Sequence, residues 1–138
     1  MMNYTIKSYN GKTEKSKSEF YILNKGLNSG KPLNEPCPNC FTLKAENDFD
    51  RETLYWICYA LWQTKVFEQR LVGSVIPFLR KHDLLWVLDE YIPKINDNPK
   101  LHKAIGVLHS FQVKANELKI YLLKTEQLKR SLLRHLIV

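Results

Sequence analysis

Cys37 and Cys40 stand in the run Cys37-Pro38-Asn39-Cys40. At this spacing two thiolates can share one face of a tetrahedral zinc, or cycle between dithiol and disulfide. The zinc reading needs two more ligands. The sequence has no second C-x-x-C, and His82, His102, His109 and His135 form neither a C-x-x-H nor an H-x₃-H pair. The redox reading needs the first cysteine at a helix N-terminus, where the dipole lowers the thiol pKa, but the residues after Cys40 read as a strand. Cys37 and Cys40 are therefore weak metal candidates, and no metal or cofactor is expected. They are read as a loop-to-strand junction with Cys40 turned inward.

A second constellation precedes them, Lys25-Gly26-Leu27-Asn28-Ser29-Gly30-Lys31-Pro32. A nucleotide-hydrolysing G-x₄-G-K-[ST] loop needs a wider glycine spacing, a Ser or Thr after the lysine, and a helix behind it. None of these is present, so that activity is set aside. What survives is an anion-binding concavity. Gly26 and Gly30 admit positive φ, which lets backbone N–H groups converge; Lys25 and Lys31 flank them, and Asn28, Ser29 and Asn39 add neutral donors. The plainer alternative is that Gly, Asn and Pro are what turns require. For catalysis there is no G-x-S-x-G context. His82 and Asp83, with Asp89 and Glu90, read as a solvated helix face, and Asp48, Asp50 and Glu52 as charges at a helix start rather than as nuclease carboxylates. An enzyme is not favoured; one of unrecognised type would centre on Cys40 or the histidines.

These residues need elements to position them. Residues 3–9 and 18–24 alternate as strands, with the turn signal Asn10-Gly11-Lys12 and the polar run Lys12 to Lys17 between them, which suggests an antiparallel pair with an exposed connection. Cys40–Ala45 reads as a third strand. Residues 25–39 hold three prolines and two glycines and cannot be helical. A connection of that length points to function. The helical part begins with Asp50 as the expected cap, followed by Leu54, Ile57, Cys58, Leu61, Trp62 and Phe67 near helical spacing, the face widened by Tyr55, Trp56 and Tyr59. Gly73-Ser74 marks a break. A second helix is predicted from near Ser74 with Pro77 in its first turn, Lys81-His82-Asp83 as a polar interruption, and Ile76, Leu79, Leu84, Leu85, Val87, Leu88 and Ile92 as its apolar set.

Pro99 opens a third helix that runs to about Leu136 with only Gly106 weakening it. Phe111, Ala115, Leu118, Leu122, Thr125, Lys129, Leu132 and Leu136 recur in alternating four- and three-residue steps. Lys114, Lys119, Lys124, Lys129, Arg130 and Arg134 make it basic. This stripe is expected to pack on the other two helices, the surplus length being left for a dimer. The fold class is α+β: a small antiparallel N-terminal sheet packed on a C-terminal helical layer with a long terminal helix. One domain is expected over 1–138, divided into a sheet and loop region, 1–47, and a helical region, 48–138.

At 138 residues, 44% hydrophobic and 25% charged, the composition is that of a globular domain, not of a disordered chain. No apolar run is long enough to span a bilayer, and no signal peptide is legible from Met1, so the expected setting is the cytoplasm, with Cys37, Cys40 and Cys58 reduced. The net charge of +7 is uneven: residues 1–47 carry 7 positive and 4 negative groups, residues 48–99 carry 6 and 8, and residues 100–138 carry 8 and 2. A basic segment of this kind attracts polyanions, of which nucleic acid is the commonest in a cytoplasm.

The runs Lys25 to Pro32, Pro36-Cys37-Pro38-Asn39-Cys40-Phe41, Leu54-Tyr55-Trp56-Ile57-Cys58, Ala60-Leu61-Trp62-Gln63 and Gly73-Ser74-Val75-Ile76-Pro77-Phe78 resemble a family of uncharacterised small proteins from Bacteroides-type bacteria, often encoded near mobile elements. The resemblance covers roughly residues 20–80. It implies a bacterial cytoplasmic setting and brings no activity, cofactor or catalytic residue. The functional expectation is a non-catalytic binding module for an anionic partner such as nucleic acid. The alternative is a homodimer or a protein-interaction subunit built on the C-terminal helix. No membrane association is expected.

Overall fold

A computed structural model describes residues 2–12 and 15–138. Thr13 and Glu14, within the polar run read between the first two strands, lie outside the described residues. Among those described, β1 (Tyr4–Ser8), β2 (Glu19–Leu23), β3 (Pro32–Leu33) and β4 (Cys40–Ala45) precede α1 (Asp48–Gln63), α2 (Lys81–Asn96) and α3 (Pro99–Ile137), with a 3-10 turn at Glu68–Arg70. The fold is α+β, as the sequence predicts.

The strands form one antiparallel sheet in the order β1-β4-β2-β3. The expected direct pairing of β1 with β2 is corrected: β4 lies between them, pairing Ile6 with Leu43 on one side and Phe20 with Leu43 on the other. Burial explains the choice. Cys40, Phe41, Leu43 and Ala45 of β4 are all buried, whereas Ile6 is the one buried residue of β1. The more apolar strand takes the centre, where both its edges are paired. Side chains alternate between faces, so Ile6, Phe20, Ile22, Phe41, Leu43 and Ala45 share one face, and α1 covers it through Leu54, Tyr55, Ile57, Cys58 and Leu61. The rings of Phe20 and Tyr55 meet edge-on, 5.5 Å apart. Each fully buried large apolar side chain of this layer contributes about 1.5–3 kcal/mol.

The cap of α1 falls three residues before the expected one. Asn47 is the N-cap and its Oδ1 accepts from the Asp50 amide at 2.8 Å, so Asp50 receives the cap instead of providing it. At the other end the Lys65 amide donates to Trp62 O and the Val66 amide to Leu61 O, both at 3.0 Å. That is the double closure of a Schellman motif, with Lys65 at φ 63° in the place glycine normally takes.

The predicted second helix is also corrected. It begins at Lys81, not near Ser74, and Lys81-His82-Asp83 form its first turn instead of interrupting it. Residues 72–79 are engaged otherwise. Val72 and Phe78 exchange both backbone hydrogen bonds, at 3.0 and 2.9 Å, and the Leu79 amide donates to Asn24 O at 2.9 Å. Asp83, buried in the first turn of α2, is held by Arg80 Nε at 2.7 Å. Leu84, Val87, Leu88 and Ile92 form the buried side of α2, and Tyr4 Oη of β1 donates to Asp89 Oδ1 at 3.2 Å. Burial, with Asp89 beside it, raises the Tyr4 pKa above the ordinary tyrosine value.

The described chain falls into two compact units, Met1–Leu101 and His102–Val138. No residue of α3 is buried, and Phe111, Leu118, Leu122, Leu132 and Leu136 of the expected stripe are exposed. No helix is long and apolar enough to cross a membrane among the described residues.

Two glycine-related substitutions test the loop geometry by urea denaturation. Gly30 has φ 100°, and a Cβ there would meet Phe67 Cδ2 at 2.3 Å, so Gly30→Ala is expected to cost about 3 kcal/mol. Lys65→Gly is expected to stabilise by about 0.5–1 kcal/mol, because it relieves a left-handed conformation that a side chain disfavours.

Candidate interaction surfaces

The structure brings together two of the sequence runs singled out above. The Gly26 amide donates to Pro77 O at 2.7 Å, and Lys25 bridges Phe78, so residues 24–26 lie against 77–79 in a short ladder. Gly73, at φ 103°, makes the tight return from Val72 to Phe78, and a Cβ there would meet Ile76 O at 2.7 Å. This turn displays Val75 and Ile76, which are 90% and 52% exposed. Leu27 and Phe78 are exposed as well, and so is Trp86 of α2, which carries the Arg70 guanidinium 3.6 Å from its ring centroid. Apolar side chains held outward on a hydrogen-bonded frame suit contact with another protein.

The anion-binding concavity expected of residues 25–32 does not form as pictured. The Ser29 amide donates to Gly26 O at 3.2 Å, Gly30 to Leu23 O at 2.7 Å, and Lys31 to Asn28 O at 3.1 Å. With the Gly26 amide on Pro77, four of the donors meant for an anion already face carbonyls. Ser29 is buried and its hydroxyl donates to Gly26 O at 2.6 Å. Lys31 turns its ammonium over the Trp62 ring, 5.2 Å from the centroid. Asn39 stands at the base of the loop, its carbonyl accepting from the Asn24 amide at 3.0 Å. A hollow of about 120 Å³ does adjoin the loop, lined by Asn28 and Ser29 together with Trp62, Lys65 and Glu68. Lys25 and Lys31 do not line it. Lys65 and Glu68, 3.9 Å apart, offset each other there. Sequence reasoning missed Lys65, and no residue type signalled it, since glycine is what marks a helix C-terminus.

Cys40 is buried at the start of β4, and its Sγ lies 3.0 Å from Cys37 O. Burial pushes its pKa up to about 11, and that of the fully buried Cys58 up to about 12. Both thiols are held in the protonated, unreactive form at neutral pH. Among the described residues, no group of three or more His, Cys, Asp or Glu is arranged to hold a metal ion.

On α3, the six cations predicted as a basic face do not share one. At about 100° per residue, Lys119, Arg130 and Arg134 fall within roughly 60° of each other, while Lys114, Lys124 and Lys129 point elsewhere. Lys114 and Lys129 also pair with glutamates of the same helix, Glu117 at 3.7 Å and Glu126 at 3.3 Å. What α3 does present is apolar. Phe111, Leu118, Leu122, Leu132 and Leu136 are each more than half exposed along one stripe.

A family model described as a family of unknown function matches residues 6–135. The match extends past both ends of the 20–80 region that carries the motifs and takes in nearly all of α3. No curated protein and no solved structure matches the chain.

The thiols give a direct test. Titration with a disulfide reagent at neutral pH is expected to modify Cys37 quickly and Cys40 and Cys58 only at the rate of unfolding. Both raised pKa values favour the folded state below the unfolded thiol value and cease to do so as pH rises through the folded ones. Stability is thus expected to fall between about pH 9 and pH 12, with a shallower slope in Cys58→Ala, read from urea midpoints across that range.

Proposed function

We propose that this chain, which belongs to the family of unknown function DUF6943, is a non-catalytic binding module that self-associates through α3. The observation carrying this reading is a 39-residue helix with no buried residue and an apolar stripe interrupted only at Thr125 and Lys129. Leu108, Ala115, Leu122, Lys129 and Leu136 take one core position of a seven-residue repeat; Phe111, Leu118, Thr125 and Leu132 take the other. The repeat is sustained for about four heptads, the length at which a coiled coil becomes a fair expectation. A second copy is the simplest occupant, because a stripe with this period matches itself. Lys129 falls inside the seam, where one polar residue lowers stability and fixes register. The exposed surface around Val75, Ile76 and Phe78 would serve a further protein partner. A cytoplasmic setting accords with three unpaired thiols, two of them buried.

The second reading, an anionic partner such as nucleic acid, is favoured by one observation: residues 100–138 carry eight cations against two carboxylates. Lys119, Arg130 and Arg134 would meet the phosphates, and Lys114, Lys124 and Lys129 would add only long-range attraction.

Sedimentation equilibrium of the full chain tests the first reading. A dimer or higher assembly is expected, Leu118→Asp and Leu122→Asp are expected to return it to monomer, and Lys129→Leu to tighten it. A monomeric wild-type chain at high concentration overturns self-association. For the second reading, affinity for a labelled duplex is expected to fall with salt at a log–log slope of about −2.7, the value for three phosphate contacts, and to lose that slope in the Lys119, Arg130 and Arg134 alanine variants.

A further inference from the structure

The face of the sheet turned away from α1 carries a hollow of about 160 Å³ whose lining includes Lys7, Tyr9, Glu19, Tyr21, Thr42 and Lys44. Register fixes their arrangement. Lys44 of β4 stands opposite Glu19 of β2, and Thr42 stands between Lys7 of β1 and Tyr21 of β2. Tyr9 closes one side, its ring edge-on to Tyr21 at 5.8 Å. The hollow is therefore built from neighbouring strands of a paired sheet, with an aromatic wall and two lysines.

Glu19 is the unusual member. It is only 8% exposed, yet among the described residues its carboxylate has a single hydrogen bond, from Tyr21 Oη at 3.4 Å. That distance is long for an O–H donor. Among the described residues no cation forms an ion pair with it, although Lys44 lies directly across the strand pair. Buried carboxylates are ordinarily paired or well hydrogen-bonded, because desolvating the charge is costly. This one faces a hollow with a weak donor on one side and open space in front.

We infer that the hollow binds a small zwitterion of the α-amino-acid type, with an apolar side chain. The ligand ammonium meets Glu19, its carboxylate meets Lys44 and Lys7, and its side chain lies against Tyr9 and Tyr21. A plain amine would leave the two lysines unanswered, and a plain carboxylate would leave Glu19 as it is. The volume suits the side chain, since a cavity of about 150 Å³ accepts a benzene ring.

Calorimetric titration of the full chain with L-phenylalanine and L-leucine at millimolar concentration tests this. Saturable binding of at least one is expected. For the phenylalanine arm, 2-phenylethylamine and 3-phenylpropionate, which lack one charge each, are expected to bind at least tenfold more weakly. Glu19→Gln retains an acceptor for Tyr21 and should fold as well as the parent, yet lose at least tenfold in affinity; should it fail to fold, Lys44→Met and Lys7→Met carry the same expectation. Shifts of the Tyr9 and Tyr21 ring resonances on titration locate the ligand. Absence of binding by both amino acids, or equal binding of the singly charged analogues, overturns the inference.

Discussion

The loop from Asn24 to Lys31 ties its backbone amides to itself and to the segments beside it, and much of the first unit follows from that. Four of its amides donate to carbonyls of the same loop, of Leu23 or of Pro77. Each such bond is worth only about 0.5–1.5 kcal/mol net, but leaving a buried donor unmade costs more, so the set is strongly held. Gly30 can approach Phe67 because it has no side chain, and Phe67 is fully buried. The loop thereby fixes where the chain must run after α1. Residues 77–79 are committed to the ladder with 24–26, which leaves helix formation to begin only at Lys81.

This explains which parts of the fold were legible. Strand alternation around Phe20 and Ile22, and the dense apolar run from Leu54 to Leu61, identify β2 and α1 without help, because each element's burial pattern follows its own period. The position of β4 was not legible. Tyr4–Ser8 and Glu19–Leu23 look like a hairpin when only the intervening turn is considered, and the competing partner, Cys40–Ala45, lies beyond the 25–39 loop. The start of α2 misled for a similar reason. Ser74 and Pro77 are sound local signals for a helix start, but Leu79 is buried and Ile76 exposed because the segment makes a bridged turn, not a helix. The loop glycines were recognised as sites of positive φ, and Gly26 and Gly30 do adopt it. What the sequence could not tell is the direction of the amides, since the same glycine conformation serves an anion or a neighbouring carbonyl equally well.

The sheet face turned from α1 and the exposed turn at Val75 were missed altogether. Lys7, Thr42 and Lys44 look like ordinary solvent-facing strand positions. Only the register, which places Glu19 beside Lys44 and Tyr21 beside Thr42, gathers them into one hollow. Glu19 carried no signal of burial, because a carboxylate at the start of a strand is usually exposed.

The third helix poses the sharper energetic question. Its side-chain pairs are weak: Lys114–Glu117, Lys129–Glu126 and Gln112–Asn116 contribute about 0.2–0.5 kcal/mol each, and Gly106 costs about 1 kcal/mol. Most helical stability in proteins comes from burying an apolar face. Covering Phe111, Leu118, Leu122, Leu132 and Leu136 would contribute about 1.5–3 kcal/mol for each side chain fully buried. Phosphates offer no such burial, and they would meet only the cations on one flank. On the proposed reading, the stripe's apolar character makes another helix the better partner, and the basic flank would be left free to attract a polyanion.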